Sequence, residues 1–116
     1  MVSGVRVLSL IFCLALASCG RDEPTPSAAD LAARHPADPH LDTLYQTSCK
    51  ACHANPDSGA PLVGFAKAWA PRWEKGEAVL LAHVVEGSNG MPAGGQCFSC
   101  TPDDYRALIR FLAGKD

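Results

Sequence analysis

The sequence has no excess of positive charge and no alternating apolar pattern. Ten lysine and arginine residues stand against twelve aspartate and glutamate residues, and the net charge at pH 7 is −2. A basic stripe of the kind that binds nucleic acid is therefore not expected. Since no segment alternates apolar and polar residues over a useful length and no internal repeat is visible, we predict one helical domain.

The sequence also lacks an apolar run long enough to cross a membrane. After Arg6, residues 7–17 are mostly apolar, which is typical of a secretory signal and too short for a transmembrane helix. The run ends at LASC, which resembles the lipoprotein box of bacteria with Cys19 as its lipidated cysteine. We predict a lipoprotein signal peptide over residues 1–18, export, and a lipid on Cys19 that anchors the protein to a membrane at its periplasmic face. The alternative is an ordinary signal peptide with Cys19 unmodified.

Residues 20–38 are rich in proline, alanine and charge and show no sustained apolar period. We therefore predict a lipidated cysteine and flexible tether over residues 19–38 and a globular domain over residues 39–116. A domain of fewer than about 80 residues has a marginal hydrophobic core and often adds disulfides, metals or another internal staple. A buried cofactor would serve this purpose.

Capping residues and apolar spacing predict four helices in the domain. Their predicted starts are Pro39 after the cap Asp38, Pro71, Glu77 after a break at Gly76, and Pro102 after the cap Thr101. Asp104 lies three residues after Thr101 and approximates a capping box. Gly114 is the expected stop of the last helix. Residues 88–96 contain three glycines and a proline, so we predict an irregular loop there.

Two Cys-x-x-Cys pairs carry the chemistry, and the first is followed at once by a histidine. Cys-x-x-Cys-His is the attachment signature of c-type haem. Two thiols one helical turn apart can each add to a vinyl group on the same porphyrin edge, and the adjacent histidine can give the iron a nitrogen ligand. We predict one covalent haem c, with Cys49 and Cys52 as thioether linkages and His53 as the proximal ligand.

Other interpretations of the cysteines stay open on sequence alone. A thioredoxin-like redox pair is disfavoured because no βαβ pattern surrounds the motif. A zinc site could combine Cys49 and Cys52 with the second pair, Cys97 and Cys100, but it would leave His53 and the loop methionine unexplained. Export also weighs against zinc thiolates, because an oxidising compartment permits disulfides.

The chain after the predicted signal has one methionine, Met91, and it lies on the irregular loop. A methionine that fills a core would more often lie on the apolar face of a helix. We predict Met91 as the sixth ligand of the iron, since Met/His ligation makes an electron-transfer centre. The competing ligands are His83, His35 and His40, of which His83 is the serious rival.

Together these features resemble a class I cytochrome c in their order along the chain. The segments CKACHA, GAPLVG, AWAPRW, MPAGG and CFSC are similar to the bacterial cytochrome c5 family, and the similarity covers most of residues 41–112. The resemblance implies a small all-α fold whose helices pack around one haem. It also implies that Cys97 and Cys100 form a disulfide with each other.

The resemblance assigns further roles near the haem. It implies that Pro61 offers its backbone carbonyl to the ring N–H of His53, which would fix the orientation of the imidazole. Trp69 and Arg72 correspond to positions that approach the haem propionates, and an indole N–H and a guanidinium are suitable donors for buried carboxylates. Core packing for Trp69 and a solvated helix position for Arg72 are the alternatives.

The predicted function is that of a membrane-tethered electron carrier, not an enzyme, cycling between Fe(II) and Fe(III) without a small-molecule substrate. The expected partners are redox proteins that donate and accept electrons. Lys50 and Lys67 are the only lysines near the attachment and loop segments, so an acidic docking partner is not supported. The alternatives are a haem protein that binds or senses a small gas after Met91 dissociates and, more remotely, a structural zinc protein.

Overall fold

The computed structural model describes residues 22–116, so the predicted signal peptide and Cys19 lie outside the described residues. Within this part of the chain the regular structure is helical, and the β-type pairing is one isolated bridge between Ser88 and Met91. The α-helices are α1 (Ala28–Ala32), α2 (Pro39–Leu44), α3 (Lys50–His53), α4 (Ala66–Trp73), α5 (Glu77–Glu86) and α6 (Pro102–Ala113). A π-helical turn, Tyr45–Cys49, joins α2 to α3. The predicted all-α fold class is confirmed.

The capping signals place the ends of α2 and α6 correctly. The Asp38 carboxylate accepts a hydrogen bond from the Leu41 amide at 2.9 Å. At α6, Thr101 and Asp104 form the reciprocal capping box, each side chain accepting from the other residue's amide at 3.2 and 2.8 Å. Gly114 ends α6 in the left-handed conformation that glycine adopts without strain. Helix α5 begins at Glu77, as predicted.

The start predicted for α4 is wrong. We expected Pro71 at the first position, where proline is most common, but the helix begins at Ala66 and contains Pro71 in its interior. The helix starts earlier because Phe65 is extended and its carbonyl accepts the first turn's amide bonds, including that of Trp69 at 3.2 Å. Pro71 removes one later amide donor, and this short helix ends at Trp73, before Gly76.

The hydrophobic core lies where α2 and α6 meet the segment between α3 and α4. Its buried members include Leu44, Tyr45, Val63 and Leu112. The Tyr45 ring meets Phe111 edge to face with 5.1 Å between centroids, a favourable aromatic geometry. Within residues 22–116, no helix combines the length and the apolar character that crossing a bilayer requires.

The predicted tether over residues 20–38 is wrong in its C-terminal part, because helix α1 packs on the domain. Ser27 and Asp30 form a capping box at its start, and Leu31 is completely buried in the core. The Arg34 guanidinium occupies the space where a Cβ at Gly64 would lie. The sequence shows no apolar period here because a helix this short needs only one inward apolar residue. The packed unit therefore begins near Ser27, before residue 39.

The packing of α1 predicts a stability effect. Replacing Leu31 by alanine should lower the free energy of unfolding by about 2–5 kcal/mol, the range for removing a fully buried leucine side chain. Chemical denaturation of the haem-loaded protein measures it. The control Val85→Ala, at a half-exposed position, should change the free energy of unfolding by no more than about 0.5 kcal/mol. Equal effects of the two variants would mean that α1 does not pack in solution.

The capping box of α6 predicts an acid-dependent loss of stability. Hydrogen bonds from the Thr101 amide and hydroxyl, and His40 at 3.0 Å, lower the pKa of Asp104. Because the folded pKa lies below the unfolded value of about 3.9, the carboxylate stabilises the fold above about pH 4 and loses this effect as pH falls through the folded pKa. Thermal unfolding of Asp104→Asn should therefore show a weaker pH dependence below about pH 4 than the parent protein.

The variant Thr101→Ala tests whether the hydrogen bonds of Thr101 to Asp104 cause this acid-dependent loss of stability. It removes the hydroxyl donor to Asp104, so it should weaken the same acid-dependent change while leaving the carboxylate in place. If thermal stability below about pH 4 depends on pH in both variants as strongly as in the parent protein, the capping box is not the cause of the acid-dependent loss.

Candidate functional site

The Cys-x-x-Cys-His motif forms a turn of helix at one wall of a cleft. Cys49 ends the π-helical turn and α3 runs through His53, so the two thiols are one helical turn apart. Cys49 is half-buried and Cys52 exposed, and neither is bonded to another cysteine of residues 22–116. Burial raises the pKa of the Cys49 thiol to about 11, so this thiol is protonated at neutral pH. Both side chains line the cleft, as the attachment hypothesis requires.

His53 is buried in the same wall, with 7% of its surface exposed. Its Nδ1 lies 2.8 Å from the Pro61 carbonyl oxygen, so Nδ1–H donates and Nε2 is left as the ring nitrogen that can bind a metal. The segment is held from both sides, since the Val63 amide donates to the His53 carbonyl at 2.8 Å. Burial lowers the pKa of His53, which favours the neutral form that ligates metals.

Trp69 stacks on His53 but does not offer its N–H to the cleft. The two rings lie 5.9 Å apart between centroids at an interplanar angle of 28°. The indole Nε1–H donates to the Leu62 carbonyl at 2.8 Å in a buried bond. An indole has a single donor hydrogen, so the Leu62 carbonyl takes the only N–H of the ring in this structure. The ring itself lines the cleft, and the role predicted for Trp69 at a propionate stays a prediction. Trp69 also supports the histidine ring.

Arg72 lines the cleft on the exposed side of α4. One of its terminal nitrogens, Nη1, donates to the Ala68 carbonyl at 2.6 Å. A guanidinium has five N–H donors, so this bond leaves others for an anionic group in the cleft. Its charge also contributes to lowering the pKa of His53.

Met91 lies on a tight loop that forms another wall of the cleft. The loop is closed by the Met91 amide donating to the Ser88 carbonyl at 2.9 Å and by the reverse bond at 3.0 Å. Asn89 turns the chain with a φ of 52°, a conformation that asparagine tolerates. A Cβ at Gly95 would lie 3.0 Å from the Met91 Cε atom, so glycine leaves room for the methionine side chain.

Two contacts anchor this loop to the rest of the molecule. The Tyr105 hydroxyl, from α6, lies 3.0 Å from the Gly94 carbonyl and 2.9 Å from the Cys97 carbonyl. The Cys97–Cys100 disulfide, with 5.4 Å between Cα atoms, closes the stretch between loop and helix. Sequence reasoning missed Tyr105, because its spacing in α6 carries no signal of a partner in the loop.

The structure separates the rival ligands and contradicts the zinc interpretation. His83 lines the cleft, whereas His35 and His40 do not and instead meet Asp42 and Asp104 at 3.1 and 3.0 Å. Cys97 and Cys100 are bonded to each other. Among residues 22–116, no group of three or more histidine, cysteine, aspartate and glutamate side chains could hold a metal ion.

The donor set of the cleft fits a haem. The cleft has a volume of about 340 Å³ and brings together two thiols, an imidazole with Nε2 unengaged and a thioether. Thioether and imidazole ligands suit a haem iron, whereas hard cations prefer oxygen ligands. The residues present therefore fit a covalently attached haem.

Comparisons with known proteins agree with this chemistry. A family model described as cytochrome c oxidase, cbb3-type, subunit III matches residues 37–112. The chain is 35% identical over 75 residues to cytochrome c5 of Ectopseudomonas mendocina, covering 63% of this chain and 86% of that protein. It is 44% identical over 75 residues to cytochrome c-555 of Chlorobaculum thiosulfatiphilum, covering 61% and 87%.

A solved structure extends the similarity to three dimensions. It is a chain from the crystal structure of an electron transfer complex of nitrite reductase with cytochrome c. That chain aligns with a TM-score of 0.59 at 33% identity, covering 67% of this chain and 95% of its own length. With a family model that spans most of the domain, cytochrome c5 relatives and this fold, the chain belongs to the class I c-type cytochromes, which carry a covalently bound haem c.

Proposed function

We propose that this cytochrome is a single-haem electron carrier in which His53 Nε2 and Met91 Sδ bind the iron. The observation that carries the proposal is the placement of both side chains in one cleft, with the opposite nitrogen of His53 held by the Pro61 carbonyl. A histidine ligand fixed in this way keeps its orientation and gains basicity. Met/His ligation favours a relatively high potential and electron transfer.

The residues of the chain then have separate tasks. A haem held in the cleft would supply an iron that can exchange between Fe(II) and Fe(III). Cys49 and Cys52 would hold the group covalently, so it would stay with the protein in both oxidation states. His53 and Met91 would be the two protein ligands of its iron, which would leave no iron site for a substrate and would make the role that of a carrier rather than an enzyme. Arg72 offers a cation at the rim of the cleft for a propionate.

The proposed location is the periplasmic face of a membrane, with a lipid on Cys19 as the anchor. This rests on the signal and LASC motif, which lie outside the described residues. The packing of α1 shortens the proposed tether, because the domain begins near Ser27. Glu23 also meets the domain, its carboxylate accepting from the Lys67 amide at 3.1 Å. The lipid would therefore hold the domain close to the bilayer surface instead of letting it swing widely.

The proposed partners are redox proteins that exchange one electron at a time. The similar solved chain comes from an electron transfer complex of nitrite reductase with cytochrome c, which supports an oxidoreductase as partner for this chain. Electron exchange then needs only contact near the cofactor, since no substrate has to reach the iron.

Optical spectroscopy of the haem-loaded protein tests the proposal. A reversible one-electron change between oxidised and reduced spectra is expected, with no rapid binding of carbon monoxide to the reduced form, because Met91 occupies the sixth position. Rapid carbon monoxide binding would contradict this ligation and favour the gas-binding alternative. Absence of a haem spectrum after expression with a haem-attachment system would contradict the proposal altogether.

A further inference from the structure

Phe98 is the most exposed large apolar side chain of the described residues, at 98% of its surface. The next two, Val85 and Val79, are exposed to 50% and 38%. A phenylalanine in water forgoes the favourable transfer that burial would give it. The fold gains no packing from Phe98, so the side chain is available for a contact outside the domain.

The backbone that carries Phe98 is held rigidly. Phe98 lies inside the Cys97–Cys100 disulfide, and Cys97 is itself buried, with its carbonyl 2.9 Å from the Tyr105 hydroxyl. Gln96, just before it, is fixed in a left-handed conformation with a φ of 61°. A side chain displayed on such a segment loses little backbone freedom when it binds.

Phe98 directly follows residues of the haem cleft that lie beside the attachment motif. Gln96 and Cys97, which precede it, both line the cleft. The Gln96 carbonyl lies 3.4 Å from the hydroxyl of Ser48, and Ser48 directly precedes the thioether residue Cys49. A protein that covers Phe98 would therefore lie next to the edge of the cofactor.

The surroundings of Phe98 favour a protein pocket over a membrane surface. Residues 87–101 contain no aspartate, glutamate, lysine, arginine or histidine, and the whole chain has a net charge of −2. Membrane-surface segments combine apolar residues with a basic face that attracts anionic lipids, and this loop offers none. A single exposed aromatic side chain on an uncharged loop matches the buried aromatic anchors that dominate protein interfaces.

We propose that Phe98 is the docking anchor for the redox partner, inserting into an apolar pocket on that protein and bringing its redox centre to the haem edge. This rests on the proposed function as an electron carrier. It specifies a partner whose docking surface is apolar and uncharged at its centre. Association with such a partner should depend weakly on ionic strength, because charge attraction contributes little to it.

The test measures electron transfer between the haem-loaded protein and gold electrodes that carry methyl-terminated or hydroxyl-terminated monolayers. The methyl surface is the probe for an apolar pocket. Phe98→Ser should weaken adsorption to it by about tenfold to a hundredfold and lower the electron-transfer current in parallel, because full burial of one phenylalanine contributes an effect of this range. Phe98→Leu should recover most of the effect. Val79→Ser, which changes another exposed apolar residue, should match the parent protein.

The two electrodes separate the docking proposal from the carrier proposal. A reversible couple on the hydroxyl surface in every variant supports the carrier, whatever happens on the methyl surface. Phe98→Ser behaving like the parent on the methyl surface would overturn the docking anchor. If the parent shows no couple on either surface, the carrier proposal fails and the docking proposal with it.

Two further measurements test whether Phe98 instead contacts a membrane or a second copy of this chain. Both use a form without the lipid, made by exchanging the lipoprotein signal for an ordinary cleavable one. Co-sedimentation with phosphatidylcholine vesicles that is lost in Phe98→Ser would assign the side chain to a membrane and overturn the proposal. A dimer in sedimentation velocity that is lost in the same variant would assign it to a second copy of this chain, with the same consequence.

Discussion

Replacing Cys49 and Cys52 by serine should abolish covalent haem attachment, whereas the same double replacement at Cys97 and Cys100 should leave it intact. Serine hydroxyls do not form the thioether bonds that the attachment motif makes, and only the first pair is followed by His53. The second pair is already bonded to itself. Haem staining after denaturing electrophoresis measures the difference, because only covalently held haem stays with the unfolded chain.

The two double variants are matched, since each replaces a Cys-x-x-Cys pair by the same residues. Loss of the Cys97–Cys100 disulfide should lower stability by no more than a few kcal/mol, because it closes a very short loop. The Tyr105 hydroxyl, which lies 3.0 and 2.9 Å from the Gly94 and Cys97 carbonyls, should still hold the loop in that variant. Haem loss from both variants, or from neither, would contradict the separate roles of the two motifs.

Replacing Met91 by alanine should lower the reduction potential and open the iron to carbon monoxide. Among residues 22–116, Met91 carries the one sulfur of the cleft that belongs neither to the attachment pair nor, like that of Cys97, to a disulfide. The potential should fall by on the order of 0.1 V or more. Axial ligands set the reduction potentials of haem proteins over a range of roughly 0.8 V. Redox titration followed optically measures the potential, and flow mixing with carbon monoxide measures access to the iron.

The variant Met91→His provides the control for this result. An imidazole can also bind the iron, so the potential should fall while carbon monoxide binding stays slow. If Met91→Ala leaves both the potential and the carbon monoxide reaction unchanged, another residue is the sixth ligand. His83 is then the next residue to replace, because it also lines the cleft.

Local sequence signals predicted those parts of the fold that depend on neighbours along the chain. The cap Asp38 and the capping box of Thr101 and Asp104 placed α2 and α6, because each bond joins residues three positions apart. Pro71 misled the prediction for α4, since proline is common at a first position yet tolerated here inside a short helix. The cap at Phe65 makes no side-chain bond and so left no local signal.

Contacts between distant segments could not be predicted from local patterns. Leu31 sits in the core through packing against residues far along the chain, which no periodicity within residues 20–38 could reveal. The indole N–H of Trp69 could serve either a propionate or a carbonyl on chemical grounds. In the structure the indole lies next to Leu62 and its N–H donates to the Leu62 carbonyl.

By itself the sequence predicted the attachment chemistry, because Cys49, Cys52 and His53 lie within five residues of the chain and the two cysteines are one helical turn apart. The family pattern added the contact between Pro61 and His53, and the structure contains it. Only the tertiary structure decided that α1 belongs to the domain, that Trp69 supports the histidine, and that Phe98, which follows residues of the cleft, is exposed. These properties depend on which surfaces of distant segments pack against each other. This packing is established only when the hydrophobic core forms.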